Sequence, residues 1–298
     1  MTSPQPPICN YEGSDYQDRF WEQGGRAYED QAEAIALRRL LPKGGELLLE
    51  LGAGAGRNTL RYEGFERIVL LDYSLSQLQQ ARQRLGESQR YVYVAADIYS
   101  LPFVEGLFDA ATMIRTLHHI ADPRLALKQV RQALQPRAVF ILEYANKQNI
   151  KAILRYLLRK QAWSPFTPES VEFEKLNFDF HPRVVRGWLK ECGFELERQL
   201  AVSYFRLGVL KRTLPIRLLE RLETWLQLTG WCCQLSPSVF TRSQAVGDTA
   251  MASPGIFFKC PVCGGEQIEE REERLICLKC SREWPVRQGI YDFRIFPS

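Results

Sequence analysis

Four short apolar runs in the first half of the chain each give way to glycine or to a charged residue, and stretches of helical character lie between them. This alternation constrains the fold more than any other feature. Glu46–Leu51 runs straight into Gly52-Ala-Gly-Ala-Gly56, Arg67–Leu71 is closed by Asp72, Tyr91–Ala95 leads to Asp97, and Phe108–Ile114 to Arg115. The glycine turn is followed by a polar helix start. A helix is predicted from Ser74, as its cap, to about Leu85, and another over Asp122–Leu134 leads into a fifth strand, Ala138–Leu142. Phe194–Ser203 and Ser238–Arg242 read as two more strands, with a helix over Pro182–Cys192 and another over Leu214–Leu228. Strands alternating with helices at this spacing build βαβ units, hence an α/β fold with a doubly wound, mostly parallel sheet of seven strands. Ligands of such sheets bind beyond the carboxyl ends of the strands. Glu50, Asp72, Asp97 and Arg115 stand at those ends and are the first candidate site residues.

Gly52, Gly54 and Gly56 allow backbone to approach a ligand with no Cβ in the way. The spacing is G-x-G-x-G, not the dinucleotide G-x-G-x-x-G, and no lysine follows as a phosphate-binding loop requires. A nucleoside without phosphates fits this better, with Asp72 placed to accept hydrogen bonds from ribose hydroxyls.

These motifs, Glu50–Gly56, Leu70-Leu-Asp72, Ala96-Asp97-Ile98 with Leu101-Pro102-Phe103, Phe108-Asp109 and Leu117–Pro123, resemble those of the class I methyltransferases. The similarity is greatest to the branch of the ubiquinone and menaquinone biosynthesis enzymes and covers about residues 45–145. It implies a Rossmann-like fold, S-adenosyl-L-methionine as cofactor, and contacts to it from Glu50, Gly52, Ala53, Gly54, Gly56, Asp72, Tyr73, Asp97, Ile98 and Arg115. Glu50 would meet the cofactor's amino group, Asp72 the ribose hydroxyls, and Asp97 with the Ile98 amide the adenine. Arg115 would line the methyl-transfer site. The chain departs from the family in having Arg137-Ala138 where a Gly-Gly turn usually precedes strand five.

Methyl transfer is an in-line displacement whose catalysis is mainly orientation, and a base is needed only where the nucleophile must lose a proton. His118 and His119 are candidates for that base, with packing at a helix start as the alternative. The Asn/Asp-Pro-Pro-aromatic motif of some amide- and base-nitrogen methyltransferases is absent, since Met113-Ile-Arg-Thr-Leu117 stands there. Oxygen, carbon and other nitrogen nucleophiles stay open. Tyr11, Tyr16, Trp21 and Tyr28 would either cap the site or pack an added helix.

Near the C-terminus, Cys260-Pro-Val-Cys263 and Cys277-Leu-Lys-Cys280 form two Cys-x-x-Cys knuckles thirteen residues apart. This is the spacing of a structural Zn2+ site, and four thiolates leave no open coordination position. A module of about forty residues has too little core to fold without such help. Leu275–Phe293 resembles the small zinc-ribbon activator subunit of RNA and protein methyltransferases, which implies a ribbon packing on the catalytic domain, here in cis.

The net charge of +4 is small, but residues 146–242 carry 16 basic and 9 acidic side chains. Residues 147–162 read as an amphipathic helix with Lys147, Lys151, Arg155 and Arg159 in one stripe. That stripe would be a solvated face, or would meet an anionic substrate, a membrane surface or RNA. No apolar run is long enough to span a membrane and no secretory signal is recognisable, so a cytoplasmic location with reduced cysteines is expected. The expected organisation is a cap segment at 1–41, a methyltransferase domain at 42–242 with a basic substrate-side region at 146–235, a linker at 243–255 and a zinc ribbon at 256–298. The function expected is methylation of an O, C or N nucleophile of a small-molecule or lipid-like acceptor. RNA methylation with a fused activator and a non-catalytic cofactor-binding scaffold are the alternatives.

Overall fold

The computed structural model describes residues 6–10, 12–13 and 25–295. In chain order, helix α1 (Ala27–Leu40) precedes strands β1 (Gly45–Leu51) and β2 (Phe65–Asp72), helix α2 (Leu75–Leu85), and strands β3 (Tyr91–Ala95) and β4 (Phe108–Met113). Helix α3 (Pro123–Ala133), strand β5 (Leu134–Ala145), helix α4 (Ile150–Leu157), a small hairpin β6 (Val171–Glu174) and β7 (Asn177–Asp179), helix α5 (Pro182–Glu191) and strand β8 (Phe194–Val202) follow. Helices α6 (Gly208–Thr213) and α7 (Ile216–Leu226) lead to β9 (Ser238–Ala245), and β10 (Ile268–Arg271), β11 (Arg274–Cys277), β12 (Glu283–Arg287) and β13 (Ile290–Asp292) complete the chain.

The seven expected strands lie in the order β3-β2-β1-β4-β5-β9-β8, parallel except at β9. The register decides where the site forms. Leu51 lies opposite Leu71 on one side and Met113 on the other, and Asp72 lies opposite Ala95. Four strands therefore end level, and the residues that follow them share one edge. Strand residues alternate between two cores: Leu49, Leu51, Val69 and Leu71 face one side with α3 and α5, while Leu48, Ile68 and Leu70 face the other with α1 and α2.

Some elements differ from the sequence reading. After the glycine turn the chain makes one 3-10 turn, Thr59–Arg61, and not a helix. Arg137 adopts φ 67°, which shows why glycine is the usual residue at that turn. The helix expected over 147–162 is only α4, and Lys147 is not on its stripe. Its chain is buried and its ammonium donates to the carbonyls of Thr167 and Glu169 at 3.0 and 2.6 Å. Residues 243–245 of the expected linker are the end of β9, and Arg131 donates to the carbonyls of Val246 and Gly247 just beyond it.

The C-terminal strands continue the same sheet. β10 to β13 form an antiparallel meander, and β13 pairs in parallel with β3, Ile290 opposite Tyr93 and Asp292 opposite Ala95. Phe258 joins the two parts by packing on Phe103, Tyr291 and Phe293. Backbone groups along β3 that would otherwise be an open sheet edge are thus satisfied within the chain.

Candidate functional site

A cleft opens over the level ends of the strands. Glu50, Gly52, Ala53, Gly54, Asp72, Tyr73, Ile98, Arg115 and His119 all line it. The glycine turn is held from both flanks. The Gly54 amide donates to Asp72 Oδ2 at 2.8 Å, and the Ser74 amide donates to Asp72 Oδ1 at 2.9 Å. Burial raises the Asp72 pKa, and those amides oppose the rise. Gly52 has φ +66°, and a Cβ there would lie 2.1 Å from Thr116 Oγ1, so only glycine fits between the ends of β1 and β4.

Gly56, Asp97 and His118 are not among the lining residues. A Cβ on Gly56 would meet Ala81 and Leu85 of α2, so this glycine permits helix packing. The Asp97 carboxylate accepts from the Tyr99 amide at 2.9 Å and holds the turn whose neighbours, Ala96, Ile98 and Tyr99, form the wall. Tyr11, Tyr16 and Trp21 lie outside the described residues. Tyr28 does not reach the cleft: its buried hydroxyl donates to Glu223 at 2.5 Å and accepts from the Phe205 amide, tying α1 to α7. The N-terminal segment instead contributes Pro7, Ile8 and Cys9 to the wall.

Several lining residues gave no sequence signal. Arg57, Asn58, Gln77, Tyr99 and Thr116 belong to no motif, yet each lines the cleft. Behind them Glu33 is completely buried. Its carboxylate takes Arg57 at 2.5 Å and Arg115 at 2.6 Å. Burial alone would raise its pKa, but the two guanidinium groups overcome that and hold it at about 2. Arg115 itself has φ 59°, and its amide donates to Glu143 of β5 at 2.9 Å. Glu50 is also buried, accepts from Thr59 Oγ1 at 2.6 Å, and is pushed up to about 7 by burial.

A family model described as a methyltransferase domain matches residues 49–142, the stretch that supplies most of this wall. The chain carries a class I S-adenosylmethionine-dependent methyltransferase domain. Among relatives of the domain, a demethylmenaquinone methyltransferase of Clavibacter sepedonicus is 29% identical over 178 residues, 55% of this chain and 72% of that one. The O-methyltransferase cnsE of Penicillium expansum is 30% identical over 135 residues, 41% of this chain and 48% of that protein, so the chain spans less than half its length. Among solved structures, a Listeria monocytogenes protein titled a putative S-adenosylmethionine dependent methyltransferase shares the fold with a TM-score of 0.55 and 16% identity, covering 74% of this chain and 99% of its own. A Haloferax volcanii protein solved as a complex between the Trm112 methyltransferase activator and the putative methyltransferase has a TM-score of 0.55 at 15% identity, over 78% of this chain and 96% of that one.

The methyltransferase domain's cleft suits a cationic nucleoside: carboxylates stand at Glu50 and Asp72, cations at Arg57 and Arg115, and the Gly52–Gly54 backbone is bare between them. In the cleft wall, His119 Nδ1 lies 2.9 Å from the Leu176 carbonyl. A carbonyl only accepts, so Nδ1 carries the proton and Nε2 keeps its lone pair. Burial lowers the His119 pKa and favours this neutral form. The His118 ring lies 4.1 Å away, is driven further down by burial and by His119, and its Nδ1 has no hydrogen-bond partner among the described residues.

The four cysteines converge at the C-terminal end of the sheet. The sulfurs of Cys260, Cys263, Cys277 and Cys280 all lie within 4.8 Å of one another, with Cys260 to Cys280 at 3.8 Å and Cys263 to Cys277 at 3.5 Å. Zinc–sulfur bonds of about 2.3 Å in a tetrahedron put sulfurs about 3.8 Å apart, so the set fits zinc.

Proposed function

We propose that this chain transfers a methyl group from S-adenosylmethionine to an oxygen, carbon or nitrogen nucleophile of a small-molecule or lipid-like acceptor. The observation that carries it is the convergence of Glu50, the Gly52–Gly54 turn and Asp72 on one cleft whose far wall holds Arg115 and His119. When bound, the cofactor supplies an electrophilic methyl on a sulfonium. Asp72 would hold the ribose hydroxyls and Glu50 the amino group, Tyr73 and Ile98 would flank the base and ribose, and the bare Gly52–Ala53–Gly54 backbone would let the nucleoside sit close. Arg115, fixed by Glu33 and Glu143, lines the transfer site. His119 Nε2 accepts the proton where the nucleophile must lose one, and the His118 ring packs against it. Asp97 acts through the turn it holds.

The C-terminal module is proposed to hold one structural Zn2+ through Cys260, Cys263, Cys277 and Cys280, and to stabilise the catalytic domain in cis. The pairing of β13 with β3 supports this, and so does the fold likeness to a methyltransferase solved with its activator. RNA as the acceptor is the second reading, supported by the ribbon. Calorimetric titration of zinc-loaded protein with S-adenosylmethionine, beside Asp72→Ala, tests the main one. Binding in the micromolar range that the variant loses supports it. A well-folded protein that binds neither S-adenosylmethionine nor S-adenosylhomocysteine refutes it.

A further inference from the structure

From Lys147 to Pro168 the chain has no acidic side chain. The centre of this stretch is α4, which is amphipathic in an unusual sense. A surface helix normally turns its apolar stripe to the core. α4 instead seats itself on the body through buried Ala152 and half-buried Ile153. Leu157, Ile150, Leu154 and Leu158 form one contiguous arc at 3.6 residues per turn, and this arc faces outward. Leu157 and Leu158 are 66% and 63% exposed, and Leu154 and Ile150 about half. Lys151 and Arg155 continue the same outward arc, and both are exposed; Arg159, past the helix end at φ 55°, is exposed as well.

A second exposed surface lies on α7 and the turn after it. Trp225 is 74% and Trp231 69% exposed, beside exposed Leu218, Leu222, Arg217 and Arg221. Gln148, just before α4, and Trp231 line one surface groove, so the turn after α7 comes close to the start of α4.

We propose that α4, together with Trp225 and Trp231, docks the chain on the surface of an anionic lipid bilayer. Three features select this occupant. The cations flank the apolar arc as they do in helices that lie in a bilayer interface, where leucines enter the acyl boundary and lysine and arginine meet headgroup phosphates. A second copy of the chain would bring the same cations face to face. RNA would pair with the cations but offers nothing to the outward leucines. Helix α4 also follows the carboxyl end of β5, on the edge of the sheet over which the cleft opens. The docking claim does not depend on methyl transfer.

The test is cosedimentation of the full chain with vesicles of phosphatidylcholine alone and with about one-third phosphatidylglycerol. Binding to the anionic vesicles only, weakened by salt, is expected. Leu154→Gln/Leu157→Gln/Leu158→Gln should lower the partition about tenfold or more, and Lys151→Gln/Arg155→Gln should also lower it. All five side chains are exposed, so the urea midpoint should not move and a misfolded variant would be recognised. Recovery in the supernatant with both vesicles overturns the proposal. So does RNA-oligonucleotide binding that displaces the vesicles and ignores the leucine substitutions, or a dimer that those substitutions abolish.

Discussion

Replacing Glu33 by Gln should destabilise the protein and loosen the cleft at once. The Glu33 carboxylate is buried, and it joins Arg57 and Arg115, two cleft-lining side chains that would otherwise repel. Its pKa falls from the ordinary 4.5 to about 2. At 1.36 kcal/mol per unit this shift is worth about 3 kcal/mol at neutral pH, which agrees with the 3–5 kcal/mol typical of breaking a buried pair. The folded-state pKa is depressed, so the stabilisation is fully present above pH ~4.5 and is lost as pH falls toward 2. Urea unfolding of wild type and Glu33→Gln at neutral pH should therefore differ by about 3 kcal/mol, and the gap should shrink on acidification. Cofactor affinity should fall as well, since Arg115 and Arg57 lose their common anchor. A difference below about 0.5 kcal/mol at neutral pH, or one independent of pH, would refute the assignment of Glu33 as the charged keystone.

Glu50 titrates in the opposite sense: its folded pKa is raised to about 7, so its contribution to stability is lost as pH rises through that value. The role proposed for Glu50 requires a charged carboxylate, so cofactor affinity should increase between pH 6 and 8 by about tenfold, and calorimetry on Glu50→Gln should find this dependence gone. Arg294 links the C-terminal strands to the cleft. It forks onto Asp292 with two 2.8 Å contacts, and its Nη1 reaches Glu12 at 3.3 Å and the Tyr73 carbonyl at 3.4 Å. Glu12 in turn accepts from the Leu75 and Ser76 amides at the start of α2. Arg294→Ala should weaken S-adenosylmethionine binding about three- to tenfold, near 1 kcal/mol, while metal analysis still finds a full complement of zinc; loss of the metal would mean that the ribbon itself had failed. Gly52→Ala would drive a methyl into Thr116 at a left-handed φ and should cost about 1–3 kcal/mol in urea unfolding.

Strand positions were legible because each strand is a short apolar run ended by glycine or charge, and side chains that alternate about a pleat leave that pattern whatever the partners. The residues at the ends of β1, β2 and β4 were legible for the same reason, and so was the cysteine cluster, because metal geometry needs close pairs. Tertiary structure decided the rest. Gly56 and Asp97 sit in the expected loops, yet one serves the packing of α2 and the other a turn, since direction depends on what lies behind a residue. Glu33 lies in a helix with no motif, and only the crossing of α1 over the strand ends brings it to Arg57 and Arg115. Lys147 has the spacing of a surface stripe but is buried under two carbonyls. The pattern of α4 shows that it has two faces, and sequence periodicity places its leucines together. Which face meets the body is set by the sum of contacts that the body offers, and there Ala152 is what fits.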